Sequence, residues 1–333
     1  MIISRTPFRV SFFGGGTDYP AWFEENRGAV LATTINKYCY ITCRYLPQFF
    51  EHKTRIIYSR MEHVHNIDEI DHPAVRDVLR YLNIQDGLEI HHDGDLPART
   101  GLGSSSSFTV GLLNSLYALI GRMPSKNKLA EEAIYVEQQM CQENVGCQDQ
   151  ALAAHGGFNF IDFGGSQHLQ VNKVIMPVER LQRLNASLML YFTGFSRTAS
   201  VIAEHQIKNI PKKGQELKTM YEMANQGLEY LRGDRLEEFG KLLDEAWMIK
   251  RTLSDKISTP LIDEIYTAAK SAGAIGGKLL GAGGGGFVLL FVPPEQQPAV
   301  REKLKDLLLV PFEFETLGSQ IIFYQPDGEG AHA

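Results

Sequence analysis

A glycine- and serine-rich segment, residues 97–107, stands directly before the long apolar run of residues 108–120. Its sequence is Pro-Ala-Arg-Thr-Gly-Leu-Gly-Ser-Ser-Ser-Ser. Glycines let the backbone approach an anion closely, and a helix N-terminus offers that anion unpaired N–H groups and a positive dipole end. Serines in the first helical turn can cap the helix and reach a phosphate or its metal ion. The segment therefore predicts a phosphate-binding loop that leads into a helix.

Neither of the common phosphate motifs accounts for this segment. A Walker A loop requires a lysine after its glycines, and no lysine occurs between Arg99 and Gly121. The Rossmann fingerprint requires a glycine where Ser106 stands, and an uninterrupted strand where Pro97 stands. A flexible Gly/Ser linker is the remaining alternative. The adjoining apolar helix and the other glycine-rich segments of the chain argue against a linker.

The composition of the 333-residue chain narrows the possible function classes. A formal net charge of −6 argues against a nucleic-acid partner, because phosphate backbones bind clustered Lys and Arg. The four cysteines have no C-x-x-C spacing, so neither a zinc site nor a disulfide framework is predicted. Charge and proline in residues 1–9 do not fit a signal peptide, and no later stretch is long and apolar enough for a membrane span. We therefore expect a cytoplasmic protein with no membrane partner.

Other segments place polar side chains beside glycines or at the ends of predicted elements. A strand predicted over residues 2–13 ends at the loop Gly14–Tyr19, where three glycines clear space beside a threonine and an aspartate. A second predicted helix, which Ser125 can cap, carries Glu137 on its polar side. Asp149 lies in a polar loop that opens the next helix. Taken singly, these residues also fit a turn, a solvated glutamate and a helix N-cap.

The order of predicted elements changes after about residue 180. A strand is followed by long helices, two strands that bracket the glycine block 282–286, a helix over residues 296–309 and a last strand over 320–324. This order predicts a split β-α-β unit with its helices on one face. Since domains average about 150 residues, the chain length favours two domains.

Three motifs, residues 6–19, 97–105 and 278–286, together resemble the motifs of the GHMP small-molecule kinases in the same order. Within that superfamily, the chain resembles the D-glycero-D-manno-heptose 7-phosphate kinases in the segments Gly-Gly-Gly-Thr-Asp-Tyr-Pro, Val-Gly-Cys-Gln-Asp-Gln and Thr-Gly-Phe-Ser-Arg-Thr-Ala-Ser. Galactokinases carry Glu-His where Gly15 and Gly16 stand here, which argues against galactose as the substrate.

The resemblance implies an α+β protein of two domains with the active site at their junction. A mixed α/β domain would span residues 1–182, a ferredoxin-like domain would span 183–326, and residues 327–333 would form a disordered tail. The implied reaction transfers the γ-phosphoryl group of ATP, with Mg²⁺, to the anomeric hydroxyl of the heptose 7-phosphate. The product is a 1,7-bisphosphate on the way to nucleotide-activated heptose. A homo-oligomer is also possible.

The resemblance further implies roles for individual residues. Asp149 matches the proposed base at the acceptor hydroxyl, and Arg9 matches the cation beside it. Thr17 and Asp18 would bind sugar hydroxyls. Mg²⁺ prefers hard oxygen ligands and keeps several waters, and its implied ligands are Ser105 and Glu137. The residues that would bind the ATP phosphates are Gly101, Gly103, Ser104, Ser105 and Ser106.

The sequence does not identify uniquely the group that would bind the phosphate of the substrate. Arg197 is the first candidate, because a guanidinium binds phosphate as a two-pronged fork, and Lys37 and Lys173 are further ones. Arg197 also fits a surface position near the next helix. For Lys278, a structural role and a phosphate contact both remain open.

Two other functions also fit the sequence. One is a kinase of a free sugar such as fucose or galactose. The other is a regulator that binds ATP and sugar without turnover, although such a protein could dispense with the Arg9 and Asp149 that this chain retains.

Overall fold

The computed structural model describes residues 1–47, 49–98, 100–165, 169–194 and 199–326. Arg197, the first candidate for the substrate phosphate, lies outside these residues. The strands are β1 (Ile2–Phe13), β2 (Gly28–Tyr45), β3 (Thr54–Ile57), β4 (Met61–Val64), β5 (Leu88–Gly94), β6 (Phe158–Phe163), β7 (Leu169–Lys173), β8 (Leu188–Gly194), β9 (Gly276–Leu279), β10 (Gly286–Phe291), β11 (Leu308–Leu309), β12 (Phe314–Glu315) and β13 (Gln320–Tyr324). The helices are α1 (Pro20–Phe23), α2 (Pro73–Leu82), α3 (Ser104–Leu119), α4 (Lys126–Tyr135), α5 (Gln148–His155), α6 (Val178–Ala186), α7 (Ala199–Asn209), α8 (Gly214–Arg232), α9 (Leu236–Lys250), α10 (Pro260–Ser271) and α11 (Gln297–Lys303).

The first sheet is built around the two long strands β1 and β2. Its order is β13-β1-β2-β5-β3-β4, with β6 and β12 also paired to β2, and β7 paired to β6. The almost fully buried helix α3 packs against β1 and β2, and the Ser4 hydroxyl donates a hydrogen bond to the carbonyl of Gly111 at 2.9 Å. A Cβ at Gly111 would lie 2.8 Å from the Thr6 hydroxyl, so the helix approaches the sheet closely only because this residue is glycine. The close packing fixes where the N-terminus of α3 lies.

The second sheet has the strand order β11-β8-β10-β9, and all its pairs are antiparallel. Helices α7–α10 connect β8 to β9, and α11 connects β10 to β11. This is the strand order of a ferredoxin-like β-α-β-β-α-β unit, in which the first and third strands lie in the middle. The predicted fold class is therefore confirmed.

The structure corrects the end of the predicted second domain. The helix predicted over 296–309 ends at Lys303, and Leu308–Leu309 pairs with β8 as the fourth strand of the second sheet. The strand at 320–324, which the sequence analysis places in the domain 183–326, pairs with β1 of the first sheet instead. A short apolar run fits a helix and a strand equally well, and a strand pattern does not reveal which sheet it joins. The first sheet thus contains both ends of the described chain.

An aromatic core joins the two sheets. The Phe12 and Phe13 rings on β1 lie 5.4 and 5.0 Å from the ring of Phe239 on α9, measured between centroids. All four cysteines are free thiols. Among the residues that the structure describes, no helix combines the length and the apolar character that a membrane crossing requires.

Candidate active site

The glycine-serine segment forms a tight loop at the N-terminus of α3, as the sequence predicts. Gly103 occupies the N-cap position with φ +76°, a left-handed conformation that favours glycine. The backbone N–H of Arg9 donates a hydrogen bond to the carbonyl of Leu102 at 3.0 Å, which ties the loop to β1. The N-terminus of α3, with the positive end of its dipole, is thereby directed at the space beside β1.

The second glycine block packs directly on this loop. A Cβ at Gly281 would lie 2.4 Å from the Cα atom of Gly101, and a Cβ at Gly286 would lie 2.3 Å from the carbonyl oxygen of Thr100. Side chains of any size are excluded from this contact. The second domain therefore supports the loop from behind through backbone alone.

Arg9 and Asp149 form a two-pronged ion pair beside the loop. The Arg9 Nε and Nη2 atoms donate to the two Asp149 carboxylate oxygens at 2.6 and 2.7 Å, and Nη1 donates to the carbonyl of Gly101 at 2.6 Å. Asp149 is the second residue of α5, and its carboxylate binds Arg9 instead of capping the helix. The Arg9 side chain is 6% exposed and that of Asp149 24%. A Cβ at Gly103 would lie 3.4 Å from Asp149, so the carboxylate borders the loop.

Asp18 is buried next to the same helix. Its carboxylate accepts hydrogen bonds from the backbone of Gly16 and from the Gln148 amide, both at 2.9 Å. Burial raises the pKa of Asp18, and the negative charge of Asp149 acts in the same direction, whereas both hydrogen bonds lower it. A Cβ at Gly146 would lie 2.0 Å from a carboxylate oxygen of Asp18, so the loop before α5 closes against it.

Thr17 has a different role from the predicted sugar contact. Its side chain is fully buried, and the hydroxyl donates to the carbonyls of Gly14 and Ala29 at 2.8 and 3.1 Å. The hydroxyl also accepts from the backbone N–H of Ala29 at 3.1 Å. The two carbonyls share the single hydroxyl proton, and the side chain is fully buried, so Thr17 shapes the turn that presents Asp18.

Glu137 lies at the other side of the serine cluster, on the π-helical turn Val136–Met140 that follows α4. Its Oε2 atom accepts hydrogen bonds from the Ser106 hydroxyl at 2.9 Å and from the Gln150 amide at 2.5 Å. By distance and angle no described residue bonds Oε1, although the Thr109 hydroxyl lies close enough to lower the pKa of this carboxyl. Burial raises the pKa of the Glu137 carboxyl to about 7. Ser105, the predicted metal ligand, is exposed, so the serine that the structure pairs with Glu137 is Ser106. Buried carboxylate and hydroxyl oxygens are donors that suit Mg²⁺.

Two buried lysines of the second domain also lie at the site. The Lys250 ammonium donates to the carbonyl of Gly281 at 2.6 Å, and the Lys278 ammonium donates to the carbonyl of Phe12 at 2.9 Å. Their side chains are only 5% and 3% exposed. The charges of Arg9 and Asp18 act on both ammonium groups, so these cations belong to the same electrostatic environment.

Lys250 is not among the site residues predicted from the sequence, although its position on α9 carries a signal. Lys250 follows Ala246 and Trp247 by four and three residues, so it continues the buried stripe of α9. A lysine on an apolar stripe is seldom solvated. The other candidate lysines lie elsewhere: Lys37 is half-buried on β2, and exposed Lys173 donates to the carbonyl of Thr316 at 3.4 Å.

Comparisons with known proteins identify the family of this chain. The family model for the GHMP kinases N terminal domain matches residues 70–157, and the GHMP kinases C terminal model matches residues 228–308. A D-glycero-alpha-D-manno-heptose 7-phosphate kinase of Campylobacter jejuni is 27% identical over 89% of this chain and 91% of its own. A galactokinase of Pyrococcus furiosus is 25% identical over 94% of this chain and 95% of its own. A solved D-glycero-D-manno-heptose 1-phosphate kinase of Bacteroides thetaiotaomicron superposes with a TM-score of 0.80 at 22% identity and covers 98% of this chain and 100% of that one.

Proposed function

This chain belongs to the GHMP kinases and is therefore a phosphotransferase, and we propose that its substrate is D-glycero-D-manno-heptose 7-phosphate. The γ-phosphoryl group of ATP passes to the anomeric hydroxyl and gives the 1,7-bisphosphate, which leads to nucleotide-activated heptose. The observation that carries the proposal is the Arg9–Asp149 pair, which borders the phosphate loop on one side and the Asp18 carboxylate on the other.

Asp149 acts as the base in this proposal. Its carboxylate accepts the proton of the anomeric hydroxyl as the oxygen attacks the γ-phosphorus, and the bond from that phosphorus to the ADP oxygen breaks. Because an anomeric hydroxyl is more acidic than an ordinary alcohol, the base contributes no more than the usual roughly 10²- to 10⁴-fold. Most of the rate then comes from positioning and charge neutralisation by the loop, the α3 N-terminus and Arg9.

The serine cluster fits a magnesium site. The buried Glu137 carboxylate and a hydroxyl of Ser105 or Ser106 would hold the ion. When bound, Mg²⁺ neutralises charge on the β- and γ-phosphates. Gln150, which donates to Glu137, fixes the orientation of the carboxylate.

The glycine-rich loop after β1 presents groups that can bind a sugar. Asp18 and Gln148 offer a buried carboxylate and amide to sugar hydroxyls. A Cβ at Gly15 would meet only the Gln148 amide and the Ser11 hydroxyl, at 3.7 and 3.8 Å, whereas a Cβ at Gly16 would lie 2.9 Å from the Gln206 amide. Galactokinases carry Glu-His at these two positions, and a side chain at Gly16 would have to displace Gln206, which argues against galactose.

A coupled ADP-release assay with a panel of sugars tests the proposal. We expect kcat/KM for the heptose 7-phosphate to exceed that for free mannose, fucose and galactose by at least about 10²-fold, since the phosphate adds a charged contact. Phosphorus NMR of the product checks that the anomeric oxygen carries the new phosphate. Equal activity on the heptose 7-phosphate and on unphosphorylated hexoses would contradict the proposed substrate specificity.

A kinase of a free sugar is the second candidate, and the full-length similarity to a galactokinase favours it. It predicts that galactose or fucose outperforms every sugar phosphate in the same assay. A non-catalytic regulator predicts instead that Asp149→Asn and the wild type show the same negligible phosphoryl transfer with every acceptor.

A further inference from the structure

The proposed reaction leaves two buried lysines, Lys250 and Lys278, without a role. Within the described part of the chain, the hydrogen-bond acceptors of their ammonium groups are all backbone carbonyls, those of Phe12, Leu279 and Gly281. The described residues therefore supply no side-chain acceptor and no carboxylate to either lysine.

The nearby carboxylates do not compensate both charges. Asp149 already binds Arg9 through both oxygens, and Asp18 is bonded by neutral amides. Burial lowers the pKa of Lys250 to about 8, and burial together with the charge of Lys250 lowers that of Lys278 well below its ordinary value. Buried charges without a partner are costly. The lowered pKa values express this cost, and an anion bound beside the two lysines would offset it and restore their protons.

The position of Lys250 identifies the kind of anion. Its ammonium bonds the carbonyl of Gly281, and the backbone of Gly281 packs on Gly101 in the phosphate loop. Helix α9 thus delivers a positive charge directly behind the loop. Lys278, on β9, reaches past the second sheet to β1 at Phe12, next to the glycine-rich substrate loop.

We propose that Lys250 and Lys278 form a phosphate-binding site on the second-domain wall of the reaction centre. The ligand is a phosphate dianion, either the γ-phosphoryl group of ATP or the phosphate that the sugar already carries. The identity of these ligands rests on the proposed function. The site itself rests on the buried, incompletely neutralised lysines.

Calorimetric binding to the full-length protein tests this site with Lys250→Met and Lys250→Arg. If the γ-phosphoryl group is the ligand, Lys250→Met lowers the affinity for a non-hydrolysable ATP analogue at least about tenfold and leaves the affinity for ADP unchanged. If the sugar phosphate is the ligand, the variant lowers the affinity for the heptose 7-phosphate and leaves that for the unphosphorylated heptose unchanged. Lys241→Met is the matched control, because Lys241 lies on the same helix in an exposed ion pair with Glu237. Unchanged affinity of Lys250→Met for every phosphate ligand overturns the proposal.

A pH profile separates binding from a purely structural role. Sulfate is the probe, since it remains a dianion throughout the range from neutral to alkaline pH. Wild-type affinity for sulfate falls as pH rises through about 8, because Lys250 loses its proton there, and Lys250→Met has a flatter profile. The groups that face Lys250 are Arg9, Asp18, Asp149 and Lys278. Identical profiles for the two proteins overturn the proposal, even if Lys250→Met is less stable.

These binding measurements also distinguish the two proposals. If no sugar phosphate is turned over but sulfate and the ATP analogue still depend on Lys250, the substrate assignment fails and the lysine site stands. If the heptose 7-phosphate is turned over and Lys250→Met binds every anion normally, the lysine site fails alone.

Discussion

Every nitrogen of the Arg9 guanidinium is committed, two to Asp149 and one to the carbonyl of Gly101. One side chain therefore orients Asp149, the proposed base, and holds the loop at the same time. A lysine could supply the charge but not the planar, two-pronged geometry.

We expect Arg9→Lys to lower kcat about 10²-fold, because misplacing the base by about 1 Å has effects of that size. Steady-state kinetics with the preferred sugar measure it. Arg5→Lys is the control, since Arg5 lies on the same strand, stacked on Tyr38 and away from the loop. An Arg9→Lys variant with the kcat of the control would show that the fork geometry is unimportant.

The buried Lys250 predicts an unusual dependence of stability on pH. Its pKa is about 8 in the folded protein and 10.5 ordinarily. Between these values the unfolded chain binds the proton that the folded chain has released, so the free energy of unfolding rises with pH in that window. Relative to Lys250→Met, the free energy of unfolding of the wild type rises by up to about 3 kcal/mol between pH 8 and 10.5. Urea denaturation of both proteins measures the difference. A wild type whose free energy of unfolding falls relative to that of the variant in this window would contradict the prediction.

Residue types and motif order predicted much of the site, but not which atoms meet. The sequence predicted Arg9, Asp149 and Asp18, and the structure brings these three together. It did not predict that the Thr17 hydroxyl binds backbone, or that Ser106 is the serine bonded to Glu137. Adjacent serines on a helix differ by a rotation of 100°, and only the packing of α3 decides which one turns inward.

Among the elements, the loop at α3 depends most on close backbone contacts. Gly281 has φ +76° and a Cβ there would lie 2.4 Å from Gly101, whereas Gly121 has φ +69° and open space around it. The two glycines share a backbone conformation, but only Gly281 packs against another segment, the backbone of Gly101.

This pair gives a matched test of the loop. Gly121→Ala introduces only backbone strain and costs about 1–2 kcal/mol, with KM for ATP unchanged. Gly281→Ala adds the collision with Gly101 and displaces the loop, so we expect its KM for ATP to rise at least about tenfold. Thermal unfolding and ATP kinetics of both variants measure the two effects. Equal effects of the two substitutions would contradict the proposed support of the loop by Gly281.

Local sequence patterns predicted the type of most helices and strands, but they did not distinguish a helix from a strand in short apolar runs. The ferredoxin-like order was predicted, yet its fourth strand was assigned to 320–324 instead of Leu308–Leu309. The π-helical turn that carries Glu137 has no sequence signature that the analysis used. Insertions of this kind occur often at functional sites, which agrees with the position of Glu137.

At the scale of the whole molecule, the two domains are not independent. Strands β12 and β13 return to the first sheet, and Phe239 of α9 completes the core around Phe12 and Phe13. Motif order along the sequence indicated two domains. The return of β12 and β13 to the first sheet is a long-range pairing that local patterns do not encode.

We therefore expect the fragment 1–182, the predicted first domain, not to fold alone. It lacks β12, β13 and the aromatic ring that covers β1, so it exposes a sheet edge and apolar surface. Urea denaturation followed by circular dichroism measures whether a cooperative transition remains, with the chain 1–326 as the control. A sharp transition in the fragment, comparable with that of the control, would contradict this expectation.

The pairing of β13 with β1 also determines how the molecule responds to a pulling force. The two strands are antiparallel, and the amino group of Met1 bonds the carbonyl of Gln325, so both ends of the described chain emerge side by side. Tension between residues 1 and 326 opens the ladder one pair at a time, as a zipper opens. The register of the two strands runs only from Ile2 to Arg5 on β1, whereas the pairing of β1 with β2 continues to Phe13. Under tension, the strand that carries Arg9 therefore loses its pairing with β13 first, while its longer pairing with β2 still holds Arg9 in place.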